Sequence, residues 1–244
     1  MNLFQTLKCS AVAAGLGIAA LNTHAQNGTE DWTFKFTPSA YSGRQQTTAS
    51  DVNLRGNHGQ HTVWLGHYTR PGEFQQTRSG YEFNARTSFV QWTPSFQVAS
   101  HGFWGGSLNA AIGETVYGLL GLGRTNLKDY YNLNFDPNDA VTYGLGWHAQ
   151  DNNQWSLFTI HDNRLHTGQV VTHGVWRHAT DAHHRWTVDL SRKQGRATPD
   201  SPMVQGRSWA LTYDHEALFF KLAQDQKVNF SGLDQWRAAM GWRF

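Results

Sequence analysis

The sequence predicts an all-β fold: one antiparallel up-and-down β-barrel crossing a membrane on about twelve to fourteen strands, fourteen being the preferred count. Three observations carry this. Alternating apolar and polar runs return about every 12 to 18 residues, separated by Gly, Asn, Asp and Pro, with no helical periodicity. Beyond the first 25 residues no run approaches the roughly 18 consecutive apolar residues of a spanning helix. Eleven tryptophans in a chain with only 16% charged residues suit a membrane interface, where the indole is half buried and its N–H meets water. A negative mean hydropathy does not argue against this, because half of every barrel strand faces a polar interior.

The elements follow in chain order. Lys8, the small and apolar run Ala11–Leu21 and the Thr23-His24-Ala25 tripeptide read as a secretory signal peptide cleaved before Gln26. The expected organisation is therefore a leader, 1–25, and a barrel, 26–244. The single cysteine, Cys9, falls in the leader, so the mature chain would have no disulfide and no thiolate chemistry. Asp31–Thr37 alternates, with Trp32, Phe34 and Phe36 on one face. His61–Thr69 is the next clear run. Tyr81–Trp92 and Ser95–Gly113 are less regular and hold about three strands. Thr115–Arg124 is glycine-rich and apolar. Val141–His148 sets Val141, Tyr143, Leu145 and Trp147 against Thr142, Gly144, Gly146 and His148. Gln154–Asp162, Gln169–His178, Arg185–Lys193, Arg207–Asp214 and Ala217–Gln226 follow. An even strand number places both termini at one end, with short turns there and longer loops opposite. By that rule the connections at His215, His183 and Asp151 are short turns. Those at Tyr131 and Pro199 are long loops, and those at Leu165 and Ser231 read as short. Trp155, Trp176, Trp186, Trp209, Trp236 and Trp242 sit near strand ends, where an aromatic girdle belongs.

The chain closes on Gln235-Trp236-Arg237-Ala238-Ala239-Met240-Gly241-Trp242-Arg243-Phe244. Trp236, Ala238, Met240, Trp242 and Phe244 share one face of a strand, and Arg237 and Arg243 lie on the other. This terminal strand, with the leader, resembles bacterial outer-membrane β-barrels. The resemblance implies a protein exported through the periplasm to the outer membrane of a Gram-negative cell. It implies partners in the outer-membrane lipids and in the barrel-assembly machinery, with Trp236, Met240, Trp242 and Phe244 as the insertion signal. It extends to architecture over the whole mature chain and carries over no active-site residues.

Fixing the lipid face fixes the inner wall. Lys35, Asp189, Lys193, Asp214, Lys221, Arg237 and Arg243 then point inward, with Ser191 and Thr212 between them. Such a set can pair off and fill the lumen, or line a water-filled pore that weakly repels cations. A net charge of only +2 marks no nucleic-acid partner. No cofactor is expected. The one ion the sequence suggests is calcium, because Asn132, Asn134, Asp136, Asn138 and Asp139 put oxygen donors at alternate positions of the longest loop. That loop lacks the glycine and distal glutamate of a calcium loop, and self-packing through Tyr130, Tyr131 and Phe135 over the barrel mouth is the favoured reading.

Thirteen histidines are many. His58 and His61, His178, His183 and His184, and His215 gather at turns, where rim solvation is favoured over a metal site. A lipid-modifying enzyme would need a nucleophile and base near the outer leaflet. The candidates are His161, Asp162, Arg164 and His166 with His173 on the facing strand, Ser107 and Ser156, and the His67–Thr69 pair. No nucleophile-elbow, zinc-protease or phosphate-loop motif is present. The expected function is a non-enzymatic outer-membrane barrel, either a narrow pore for small solutes or a closed structural barrel. The alternatives are an acyl hydrolase or transferase acting on lipid A or phospholipid, and a surface-loop binding protein.

Overall fold

A computed structural model describes residues 31–44, 46–131, 140–150, 152–162 and 164–244. The predicted leader and the calcium-type positions Asn132, Asn134, Asp136, Asn138 and Asp139 lie outside the described residues. The chain forms β1 (Thr33–Gly43), β2 (Ala49–His58), β3 (His61–Arg70), β4 (Phe74–Phe83, resuming at Ala85–Arg86), β5 (Val90–Ala99), β6 (Phe103–Gly113) and β7 (Val116–Thr125). It continues with β8 (Val141–His148), β9 (Asn153–Asp162), β10 (Gln169–Ala179), β11 (His184–Gly195), β12 (Val204–His215), β13 (Leu218–Asp225) and β14 (Gln235–Arg243). Each strand pairs antiparallel with the next, and β1 pairs with β14 through Lys35↔Arg243 and Ser39↔Ala239. Phe34 and Phe244 exchange backbone hydrogen bonds of 2.7 and 2.9 Å across this seam. The sheet is thus a closed fourteen-stranded barrel, and closure removes every exposed edge.

Two prolines mark the irregular places. Pro94 on β5 stands opposite the break in β4 and offers no N–H to it. Thr93 spans the break instead, donating to the Asn84 side chain at 3.3 Å. Pro38 interrupts the β1–β14 ladder while keeping its place opposite Val52 of β2.

The connections alternate in length over the second half of the barrel, whereas in the first half the links 71–73 and 100–102 are as short as those at the opposite end. At one end, the turn end, residues 59–60, 87–89, 114–115, 180–183 and 216–217 make short links; the other, loop end carries 126–140, 163–168, 196–203 and 226–234. The connection around Ser231 is longer than its sequence suggested. It holds a tight turn, Val228–Phe230, in which Asn229 and Phe230 have positive φ and Phe230 is buried against Val171.

The outer face is a band of exposed Leu, Val, Ile, Phe and Trp, including Leu65, Leu120, Leu145, Leu157, Leu190 and Met240. A soluble protein does not expose so continuous an apolar surface, and a bilayer is the solvent that accepts it. Trp236, Met240, Trp242 and Phe244 lie in this band, as the alternation of β14 requires. At the turn end the band is bordered by aromatic and imidazole rings. Trp155 packs on Trp176, Trp186 on Tyr213, Trp32 on His58, and Trp242 on Phe244. At the loop end Trp209 meets Trp236 edge-on at 5.7 Å and donates its indole N–H to the Gln224 side chain at 3.2 Å.

Strands β2 and β4 were not legible as separate runs. Asp51, Asn53 and Arg55 face inward from β2, and Gln76, Arg78 and Glu82 from β4, so both segments read as polar turn sequence. The Tyr81–Trp92 run spans the end of β4, a turn and the start of β5.

Candidate functional site: the lumen

The lumen has two differently built sectors. The first is the inner wall of β1 to β6 at the loop end. The 126–140 connection leaves β7 and its first residues turn down into the barrel. Tyr131 stacks on Tyr68 with ring centroids 3.5 Å apart and meets Tyr41 edge-on at 5.9 Å. Tyr130 stacks on Phe103 at 4.1 Å, and its hydroxyl donates to Gln97 Oε1. The Gln76 side chain clamps the segment at both amide atoms. Its Oε1 accepts the Tyr131 backbone N–H at 2.7 Å, and its Nε2 donates to the Asp129 carbonyl at 2.8 Å. This segment, 126–131, forms a strap whose Tyr130 and Tyr131 reach into the barrel while Leu127, Lys128 and Asp129 stay exposed at its rim. Phe135 lies outside the described residues.

The strap seals what lies around it. Gln76, Gln97, Tyr68 and Asp51 are among the most deeply buried side chains of the protein. Arg78 Nη2 lies 2.7 and 2.9 Å from the two carboxylate oxygens of Asp51, and both side chains are 2% or less exposed. Nearer the turn end, beyond the strap and level with Lys35, Arg55 reaches Glu82 at 3.0 Å. Burying charge is tolerated here because each guanidinium meets a carboxylate. Burial also raises the Tyr131 phenol well above its ordinary value, with the neighbouring Tyr68 adding to the effect. The strap therefore carries a neutral phenol at physiological pH.

The second sector runs from β10 through β14 to β1, mostly toward the turn end. Here Lys35, Arg177, Arg185, Lys221 and Arg243 are half-buried, His173, Lys193 and Asp214 are buried, and cations outnumber carboxylates. Asp214 is shared by Arg185, at 3.2 Å, and Arg243. Asp189 accepts from His173 Nδ1 at 2.8 Å rather than from a lysine or arginine. Lys193 is buried against Asp225, which also takes the Ser208 hydroxyl. Among the described residues Lys35 has no carboxylate within salt-bridge distance and instead lies 5.4 Å from the centre of the Phe219 ring, with Arg243 at 5.3 Å from the same ring. Lys221 and Arg177 likewise have no salt-bridge partner among the described residues, while Arg237, opposite Tyr41, stands nearer the loop end.

Glycine shapes this wall. A Cβ on Gly241 would stand 1.9 Å from Phe219, so the ring can lie flat on the strand only because Gly241 has no side chain. Trp64 uses Gly80 in the same way, and the Arg55 guanidinium sits 5.7 Å above that indole. Between the two sectors, Tyr117, Leu119, Phe158, Ile160 and Val175 pack into an apolar cluster against the inside of β7 to β10.

The seven charges that the sequence suggests for the inner wall do not form one set. Lys193 pairs off at the loop end, Asp214 bridges two arginines, and Lys35 and Lys221 stand without carboxylates. Arg177 and Arg185 were overlooked, although their parity with Val175 and Asp189 on runs already recognised places them inside. Asp51, Arg55, Arg78 and Glu82 could not be found that way, because β2 and β4 were not legible.

The enzyme candidates do not assemble at the outer rim. The Ser107 hydroxyl bonds that of Ser95 at 2.8 Å, His161 is exposed on the outer surface, and His67 bonds Thr77 and Thr69. The His173–Asp189 contact is real but lies mid-wall inside the lumen, under the Phe158 ring. The turn-end histidines join the girdle. His184 stacks on His215 and bonds the Tyr213 hydroxyl at 2.6 Å, His61 bonds that of Tyr81, and His178 stacks on Trp176. Among the described residues no three His, Asp or Glu side chains come together as a metal-holding group.

No family model and no curated protein matches the sequence. Solved structures do match the fold. The outer membrane protein Omp33 of Acinetobacter baumannii superposes with a TM-score of 0.61 over 89% of this chain and 100% of that one, at 10% identity. This chain has the fold of an outer-membrane β-barrel. A KdgM porin covers 86% of this chain and 99% of its own at a TM-score of 0.48 and 6% identity.

Proposed function

We propose that this protein is a non-enzymatic outer-membrane pore for small solutes, narrowed at its loop end by the strap 126–131. The observation that carries the reading is the pair Lys35 and Lys221. Both ammonium groups face the lumen, both are half-buried, and among the described residues neither has a carboxylate in salt-bridge range. Without an anionic partner an ammonium stays charged only where water reaches it, so a charged pair at this place requires a wet lumen. The apolar outer band, the short turns at the end bearing both strand termini and the fold shared with Omp33 support an outer-membrane setting. In that setting the lipids are the solvent of the outer face. Trp236, Met240, Trp242 and Phe244, aligned along the seam strand, are the residues that the assembly machinery would read.

Planar-bilayer recording of the purified full chain tests the pore. Discrete conductance steps are expected, and a silent bilayer across repeated insertions overturns the reading. The strap and the buried Arg78–Asp51 pair favour one second reading, a barrel closed at the loop end. It predicts a protein that inserts and spans but passes no current.

A further inference from the structure

The wet sector does more than hold water. Lys35, Arg177, Arg185, Lys221 and Arg243 face it from five strands, whereas Asp189 and Asp214 are the carboxylates among them. Both acids are already engaged, Asp214 by two guanidiniums and Asp189 by His173. Lys35 and Arg243 share one face of Phe219, and Lys221 stands on β13 with only Ala239 opposite it on β14. Like charges held this close repel one another, and in a lumen of lowered dielectric they do so more strongly than on an open surface. Strands β2 and β4 solve the same problem with Asp51 and Glu82, each matched to one arginine. The wall from β10 through β14 to β1 has more cations than carboxylates to match them.

We propose that this wall is a binding site for a small, multiply charged oxyanion, a di- or tricarboxylate or a phosphorylated solute of similar size, which supplies the missing negative charge. The inference rests on the pore reading for its route of access. Arg forks from β10, β11 and β14 would receive the planar oxygens, and Lys35 and Lys221 would act as point charges. The site lies inside the barrel and is half-open to the lumen, so a soluble anion rather than a lipid headgroup is its occupant. Lys35 on β1 joins the residues of β10, β11, β13 and β14 only through closure at the β1–β14 seam.

Three readings on the full chain decide this. In a salt gradient the reversal potential should show anion preference; cation preference overturns the proposal. Citrate should depress the chloride current at concentrations where acetate and glycerol do not. In the K35M/K221M variant the citrate midpoint should weaken by about tenfold, while K35R/K221R keeps it. Inorganic pyrophosphate in place of citrate distinguishes a phosphate-accepting site from one limited to carboxylates. A citrate effect equal in wild type and K35M/K221M overturns the site. If no channels form, the pore reading fails, and calorimetric titration of citrate into detergent-solubilised protein still tests the wall. Heat lost in K35M/K221M supports the site, and no heat in the wild type overturns it.

Discussion

The two lumen sectors use the same residue types to opposite ends. Under the strap, Arg78 is matched with Asp51 and sealed from water. Along the turn-end wall, lysines and arginines are left short of carboxylates and stay half-open. The difference is one of cover. Where Tyr130 and Tyr131 roof the wall, a charge can remain only with a partner, because an unpartnered buried ion is far more costly than a hydrated one. Where nothing roofs it, water meets the charge, and the wall can keep an excess that serves an incoming anion.

The sharpest way to break this comparison is to remove one charge from each sector. Arg78→Ala should destabilise the barrel by roughly 3–5 kcal/mol in urea titrations in detergent, because it strands Asp51 in a buried site. Replacing both partners with apolar residues, Arg78→Met with Asp51→Leu, should recover most of that loss. Lys35→Met, by contrast, should change stability by no more than about 0.5 kcal/mol. Equal effects of R78A and K35M would show that the sectors do not differ in cover.

Next in size is the clamp. Gln76→Ala leaves the Tyr131 N–H and the Asp129 carbonyl without partners, at a cost of about 1–3 kcal/mol if they stay buried. The strap should instead lift, and single-channel conductance should rise; unchanged conductance would mean that the strap does not narrow the lumen. Gly241→Val should cost roughly 1–3 kcal/mol by forcing Phe219 off the wall. It should also disturb anion preference, since Lys35 and Arg243 both rest against that ring. The smallest effect is one of pH. The folded Tyr131 phenol titrates above its unfolded value, so the strap's contribution is complete below pH of about 10 and is lost as pH rises through the higher folded value. Conductance should therefore increase at strongly alkaline pH in the wild type, and Tyr131→Phe should remove that response.

What was legible in the sequence was whatever depends on alternation. Val141–His148 and Gln235–Arg243 display their lipid face at every second residue, so Leu145, Met240 and Trp242 could be placed outside, and Arg237 and Arg243 inside, with no knowledge of the partner strands. The same rule placed Lys35, Asp189, Lys193, Asp214 and Lys221 on the inner wall. It failed for β2 and β4, where Asp51, Asn53, Gln76 and Arg78 fill the inward positions and mimic turn composition. It also failed for the 126–140 loop, whose tyrosines were read as packing on one another.

The sequence by itself determined the barrel, its inside-out polarity and the inward direction of its charges, because side-chain alternation is a property of each strand alone. Only the tertiary structure decided which charges are neutralised. Arg78 meets Asp51 across 27 residues of chain, and Gln76 holds Tyr131 across 55. Such contacts exist only once the strands have found their neighbours and β1 has closed on β14. Pairing and cover are therefore products of closure, and they divide one inner wall into a sealed half and a half open to anions.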